Sequence, residues 1–161
     1  MTHFQSRPLA IAIAIAAAGA GLSTAHAQPA AETFIFQSQA TAQTVVGSDG
    51  TGPNPYVGTF VTGTIETAFA DGSKKSANYT CVSMTQPPHG KLFDMHMLCD
   101  ATDSDGTYSA TMGCTILDAA REDFSCVGGL YGKSGSYVGR RGTFTNRTVG
   151  GAGTGTGQWY N

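Results

Sequence analysis

The stretch from Cys126 to Tyr160, CVGGLYGKSGSYVGRRGTFTNRTVGGAGTGTGQWY, limits the fold of this chain more than any other. Its glycines are too dense for a helix, because each interior Gly costs about 1 kcal/mol relative to Ala. Tyr137, Val138, Phe144, Trp159 and Tyr160 favour strand. Glycines inside a strand pattern mark bulges, sharp bends and close backbone contacts. The stretch therefore reads as the terminal strands of a strongly bent sheet, with Tyr137 and Trp159 packing in the space that the glycines leave.

The residues before it continue the same plan. Thr33 to Val46 carries Phe34, Phe36 and Val45 and reads as a first strand. GSDGTGPNP, from Gly47 to Pro55, is a loop. From Tyr56 to Ala70, Val57, Val61, Ile65 and Phe69 share one parity, which suits a half-buried strand. Asp71-Gly72 is a tight-turn signal before a strand at Lys75 to Met84. Pro87-Pro88-His89-Gly90 breaks the chain, and Leu92 to Ala101 then sets Phe93, Met95, Met97 and Cys99 on one face. After the Asp105-Gly106 turn, Thr107 to Leu117 does the same with Tyr108, Met112, Cys114 and Ile116. Asp118 to Glu122 is a turn or one helical turn, and Asp123 to Val127 is a short strand with Phe124 and Cys126 on one face. About eight strands with tight turns must deal with their edges. Closure into an antiparallel up-and-down barrel, calycin-like in plan, does so and leaves an interior that packs itself or holds one small ligand. A two-sheet sandwich is the alternative.

The N-terminal segment stands apart from this domain. Arg7 gives a positive start, Pro8 to Gly21 is an apolar run, and Ala25-His26-Ala27 fits a small-x-small cleavage site. Residues 1–27 thus read as a cleaved signal peptide that exports the protein to the periplasm or the medium. The apolar run is shorter than the ~20 residues of a spanning helix, so stable membrane insertion is not expected. Residues 28–32 read as a mobile lead-in and 33–161 as one domain. The part after residue 27 keeps eight Lys/Arg against eleven Asp/Glu. With no basic stripe, nucleic acid and anionic membrane are poor partners.

All four cysteines, Cys81, Cys99, Cys114 and Cys126, lie after the leader. An even count in an exported chain favours disulfides. No C-x-x-C occurs, which disfavours zinc and a thioredoxin-like centre. Cys81 and Cys99 are symmetric about the Pro-Pro-His-Gly turn, and Cys114 and Cys126 about the Asp118–Glu122 turn. Directly opposed strand residues have the separation that a disulfide needs, so these two pairs are preferred. Cys99–Cys114, across the Asp105-Gly106 turn, is only two residues out of register and remains open.

The pattern Gly128-Gly129, Gly135-x-Tyr137-x-Gly139-x-x-Gly142, with a closing strand at Gly157-Gln158-Trp159, carries a family resemblance over roughly the last third of the chain. With the leader and the strand-only plan, it resembles small exported bacterial proteins with the barrel of the allene oxide cyclase and dirigent-like group. The resemblance implies a barrel that binds a small apolar molecule, or guides its cyclisation or coupling, without a metal or organic cofactor. No catalytic residue of that group is matched here.

The candidate chemistry is sparse. Met95, Met97, Tyr108, Met112 and Tyr137 form the Met/aromatic set expected to face a small apolar or aromatic ligand. Met95 and Met97, with Asp94 and His96, could suggest copper. On a strand the methionines face one way and Asp94 and His96 the other, so no metal site is expected. Asp94 and His96 could instead form a proton-transfer pair. Glu66, placed near Ala77 across the Asp71-Gly72 turn, is within diagonal reach of Tyr79, and a carboxylate beside a phenol could do acid/base work. Adjacent strand residues point to opposite faces, so one of Arg140 and Arg141 should face inward. An inward Arg needs a partner, and an acid such as Glu122 or Asp123 is preferred to a ligand. Glu66, Tyr79, His96 and Arg141 are thus the candidate catalytic residues. Asn78 and Asn146 open N-x-S/T sequons. The glycine pairs match no phosphate loop, and no serine sits in a G-x-S-x-G elbow. The leading expectation is a binding barrel, followed by a cofactor-free isomerase, cyclase or lyase in the barrel cavity, and then a structural or surface-interaction domain.

Overall fold

A computed structural model describes residues 31–47, 56–86 and 90–160. The expected signal peptide, most of the expected lead-in and of the Gly47–Pro55 loop, and Pro87-Pro88-His89 lie outside the described residues. Eight strands follow in chain order: β1 (Glu32–Gly47), β2 (Val57–Phe69), β3 (Lys74–Thr85), β4 (Met95–Asp103), β5 (Gly106–Asp118), β6 (Asp123–Gly132), β7 (Arg141–Val149) and β8 (Ala152–Tyr160). Each pairs antiparallel with the next, and β1 pairs with β8, so the sheet is a closed up-and-down barrel.

The strand alternation survives closure. Val57, Val61, Ile65 and Phe69 line the interior, as do Met95, Met97 and Cys99 on β4 and Tyr108, Met112 and Ile116 on β5. Outward positions carry many threonines, as in the Thr145–Thr156 and Thr143–Tyr160 hydroxyl contacts between β7 and β8, together with exposed apolar side chains such as Phe60, Val82 and Leu98. Cys81 stands opposite Cys99, and Cys114 opposite Cys126. Both pairs are disulfides, with Cα atoms 4.0 and 4.1 Å apart, and both close on the interior side. Each closes a short hairpin and stabilises the fold by about 3 kcal/mol in the chain-entropy account.

The seam between β1 and β8 explains the glycine run. Phe34, Phe36 and Ser38 of β1 stand opposite Gly157, Gly155 and Gly153 of β8. A Cβ on Gly157 or Gly155 would collide with the Phe34 or Phe36 ring. The missing side chains let two aromatic rings lie over the last strand, so closure and core packing are one feature.

Several expected boundaries move. Glu32, assigned to the lead-in, begins β1. Leu92 and Phe93 precede β4, which starts at Met95 and continues to Asp103. Phe93 packs outside the barrel against Gly113 and His96 rather than with Met95 and Met97. β6 continues past Val127 to Gly132. Gly135-Ser136-Tyr137 is a 3-10 turn and not strand. Ser136 N–H donates to the Asp105 carbonyl, and Lys133 N–H to that of Thr107, so this segment is folded onto the β4–β5 turn. At Gly135, φ is +61°, and a Cβ would collide with the Asp105 carbonyl. Glycine alone suits that position.

Candidate functional site

The barrel has one filled end. Tyr137, 2% exposed, and Trp159, 3% exposed, sit there with Tyr108. Their ring centroids are 5.1 to 5.5 Å apart. Tyr137 hydroxyl donates to Asp103 Oδ2 at 2.6 Å, and Asp103 Oδ1 accepts from the Asp105 and Gly106 N–H groups. Lys75 Nζ lies 2.7 Å from Asp105 Oδ2, over the Phe69 and Tyr137 rings. Burial pushes the Tyr108 phenol up to about 12, helped by the Asp103 charge. Burial, and donation to Asp103, raise the Tyr137 phenol further. Both stay protonated at neutral pH. This aromatic floor was only partly legible, through Tyr137 and Trp159.

Above the floor is a cavity of about 430 Å³. Phe34, Phe36, Phe69 and Phe144 line the β1, β2 and β7 sides, and Met95, Met97, Met112 and the Cys81–Cys99 disulfide line the other. Ala77, Ala101 and Ala110 leave the space open on β3, β4 and β5. The cavity reaches the opposite rim, where Gln43, Val57, Thr85, Ile116 and Glu122 line it. All five expected ligand-facing residues, Met95, Met97, Tyr108, Met112 and Tyr137, lie on its wall. Phe144 and Asn146, also on the wall, were missed as site residues. Their signal was the shared parity of two residues in one strand.

The expected catalytic groups do not assemble. Tyr79 lines the cavity, and burial raises its phenol. Glu66 stands opposite Ser76 rather than Ala77, and it is exposed on the outer face, away from Tyr79. It alternates with Ile65, which lines the cavity, so its side chain faces outward whichever residue it pairs with. His96 is exposed and meets the edge of the Phe93 ring. Asp94 lies before β4, paired with Lys91 at 2.6 Å and accepting the Ile116 N–H. Lys91 and that N–H hold its carboxyl below the ordinary range. No Asp94–His96 contact occurs among the described residues.

The arginines divide as two-faced neighbours should, but with other partners. Arg140 precedes β7, donates from Nη2 to Glu32 Oε2 at 2.6 Å, and lies over Trp159. Its partner is thus Glu32, not Glu122 or Asp123. Arg141 lies outside over Tyr131. Asp123 is held instead by Arg147 through two hydrogen bonds of 3.0 and 3.1 Å, which keep its carboxyl below the usual range. Asn146 points inward, so its sequon is closed to a glycan in the folded barrel.

Among the described residues no group of three His, Cys, Asp or Glu side chains could hold a metal. The site is therefore a largely apolar chamber with a few separated polar groups. The chain matches no family model, and searches of the curated proteins and of the solved structures return no match.

Proposed function

We propose that this protein is an exported barrel that binds a small apolar or aromatic molecule in its interior. The observation that carries the reading is the 430 Å³ apolar cavity inside a closed sheet. It falls within the ~300–1,000 Å³ range of small-molecule sites. An eight-stranded barrel can fill itself with side chains, so retained space of this size favours ligand binding over a purely structural role. The polarity supports a water-soluble container. The interior is apolar, and the outer face mixes threonines and a few charged residues with apolar side chains such as Phe60 and Leu98, without the polar lumen of a channel-forming membrane barrel. Two disulfides suit the oxidising compartment to which the leader would send the chain. The reading extends to this chain the resemblance to allene oxide cyclase and dirigent-like barrels, which hold or guide apolar molecules.

The test is a fluorescence titration with N-phenyl-1-naphthylamine, a neutral probe that brightens in apolar surroundings. Saturable one-to-one binding is expected. Ala110→Phe, which places a ring in the chamber, should weaken it at least tenfold while the circular dichroism of the folded barrel is retained. A wild-type protein that does not bind the probe, or undiminished binding by a folded Ala110→Phe variant, refutes the reading.

A further inference from the structure

We infer that the cavity is built for a neutral molecule bearing a hydroxyl or carbonyl on an otherwise aromatic or apolar body, and that Tyr79 and Asn146 read that polar group. The inference rests on the binding reading above and specifies its ligand. Tyr79 comes from β3 and Asn146 from β7, four strands apart in a ring of eight, and both line the chamber, with the Tyr79 hydroxyl lying over Gly63 of β2. The Tyr79 hydroxyl makes no hydrogen bond among the described residues, and it is a protonated donor at neutral pH. Asn146 Nδ2 donates to Thr148 Oγ1 at 3.2 Å, while Oδ1 is enclosed with no partner. An unsatisfied buried acceptor costs about 1–3 kcal/mol. The last torsion of an asparagine is broad and roughly two-fold, so rotation of the amide about it can present the oxygen or the NH2 to the cavity.

The sheet makes room for this polar step. Gly153 lies beneath Ser38, Asn146 and Thr148, and a Cβ there would collide with Ser38 Oγ and crowd the other two. The wall charges select against an anion. Lys75, the wall's one Lys or Arg among the described residues, is taken by Asp105, and the other charged wall residues are Asp103, Glu122 and Asp123. A carboxylate would therefore enter an apolar chamber without a free cation, at a large desolvation cost.

The experiment displaces N-phenyl-1-naphthylamine with naphthalene, 2-naphthol and 2-naphthoate at pH 7.5. The three share one ring system and differ in the polar group. On wild-type protein, 2-naphthol should bind about tenfold tighter than naphthalene, the worth of roughly 1.4 kcal/mol, and 2-naphthoate the weakest. Tyr79→Phe and Asn146→Leu should each cut the naphthol preference to about threefold or less and leave naphthalene binding within about twofold. Should Asn146→Leu fail to fold, Tyr79→Phe, which removes one hydroxyl, carries the test. Equal binding of naphthalene and 2-naphthol, a preference unchanged in the variants, or tightest binding of 2-naphthoate overturns the inference while the binding reading stands. Absence of binding by every probe defeats both.

Discussion

At the scale of single residues, the glycines of β8 carry more structural information than their flexibility suggests. Gly157 faces the Phe34 ring, and a methyl group there would meet both that ring and the Thr143 carbonyl. Overpacking of this kind typically costs about 1–3 kcal/mol. Gly157→Ala should therefore lower the urea midpoint by an amount in that range, and Phe34→Leu in the same chain should recover part of it. The same Gly157→Ala change without loss, or no recovery in the double variant, contradicts the ring-over-glycine account. Sequence alone marked these glycines as sites of bending, because spacing shows where a side chain is missing but not which neighbour takes its place. Arg140 is a parallel case. Its need for an acidic partner was legible, yet Glu32, 108 positions earlier, became adjacent only through the β1–β8 seam.

At the scale of elements, the hairpins were the most legible part of the molecule. A short connection between adjacent antiparallel strands fixes their register locally, and register fixes which cysteines face each other. That is why symmetry about two turns found both disulfides. With a chain-entropy contribution of about 3 kcal/mol for loops of this length, the paired change Cys81→Ala/Cys99→Ala should lower unfolding free energy by about that amount in chemical denaturation. A loss near zero would show that the hairpin needs no covalent closure. The β6–β7 connection was not legible in the same way. Gly-Ser-Tyr in a strand-rich context looks like strand, but the segment finds its hydrogen bonds on the β4–β5 turn and places Tyr137 in the barrel floor. A contact between turns distant in sequence outweighed local preference there.

At the scale of the whole molecule, the floor ties stability to pH on the alkaline side. Tyrosine in an unfolded chain ionises near pH 10, whereas Tyr108 is pushed up to about 12 and Tyr137 is also raised. The folded state therefore favours the protonated phenols. Their contribution is complete below about pH 10 and is lost as pH rises toward 12. Urea stability measured from pH 9 to 12 should fall over that window, and Tyr108→Phe should flatten the fall. Absorbance at 295 nm should show at least two of the six tyrosines ionising late. An unchanged alkaline slope in Tyr108→Phe would contradict the assignment.

Local sequence by itself determined the strand-and-turn plan, most of the inward faces of β2, β4 and β5, and the preference for the cysteine pairs that form. Each depends on neighbours within one strand or hairpin, where period-two alternation and turn chemistry suffice. Tertiary structure decided for the closed barrel over the sandwich alternative, kept the cavity open above the Tyr108–Tyr137–Trp159 floor, and placed Tyr79 and Asn146, but not Glu66, on its wall. These follow from register between distant strands and from which rings fill which gaps. Long-range pairing and packing volume set both, and no short stretch of the chain encodes either.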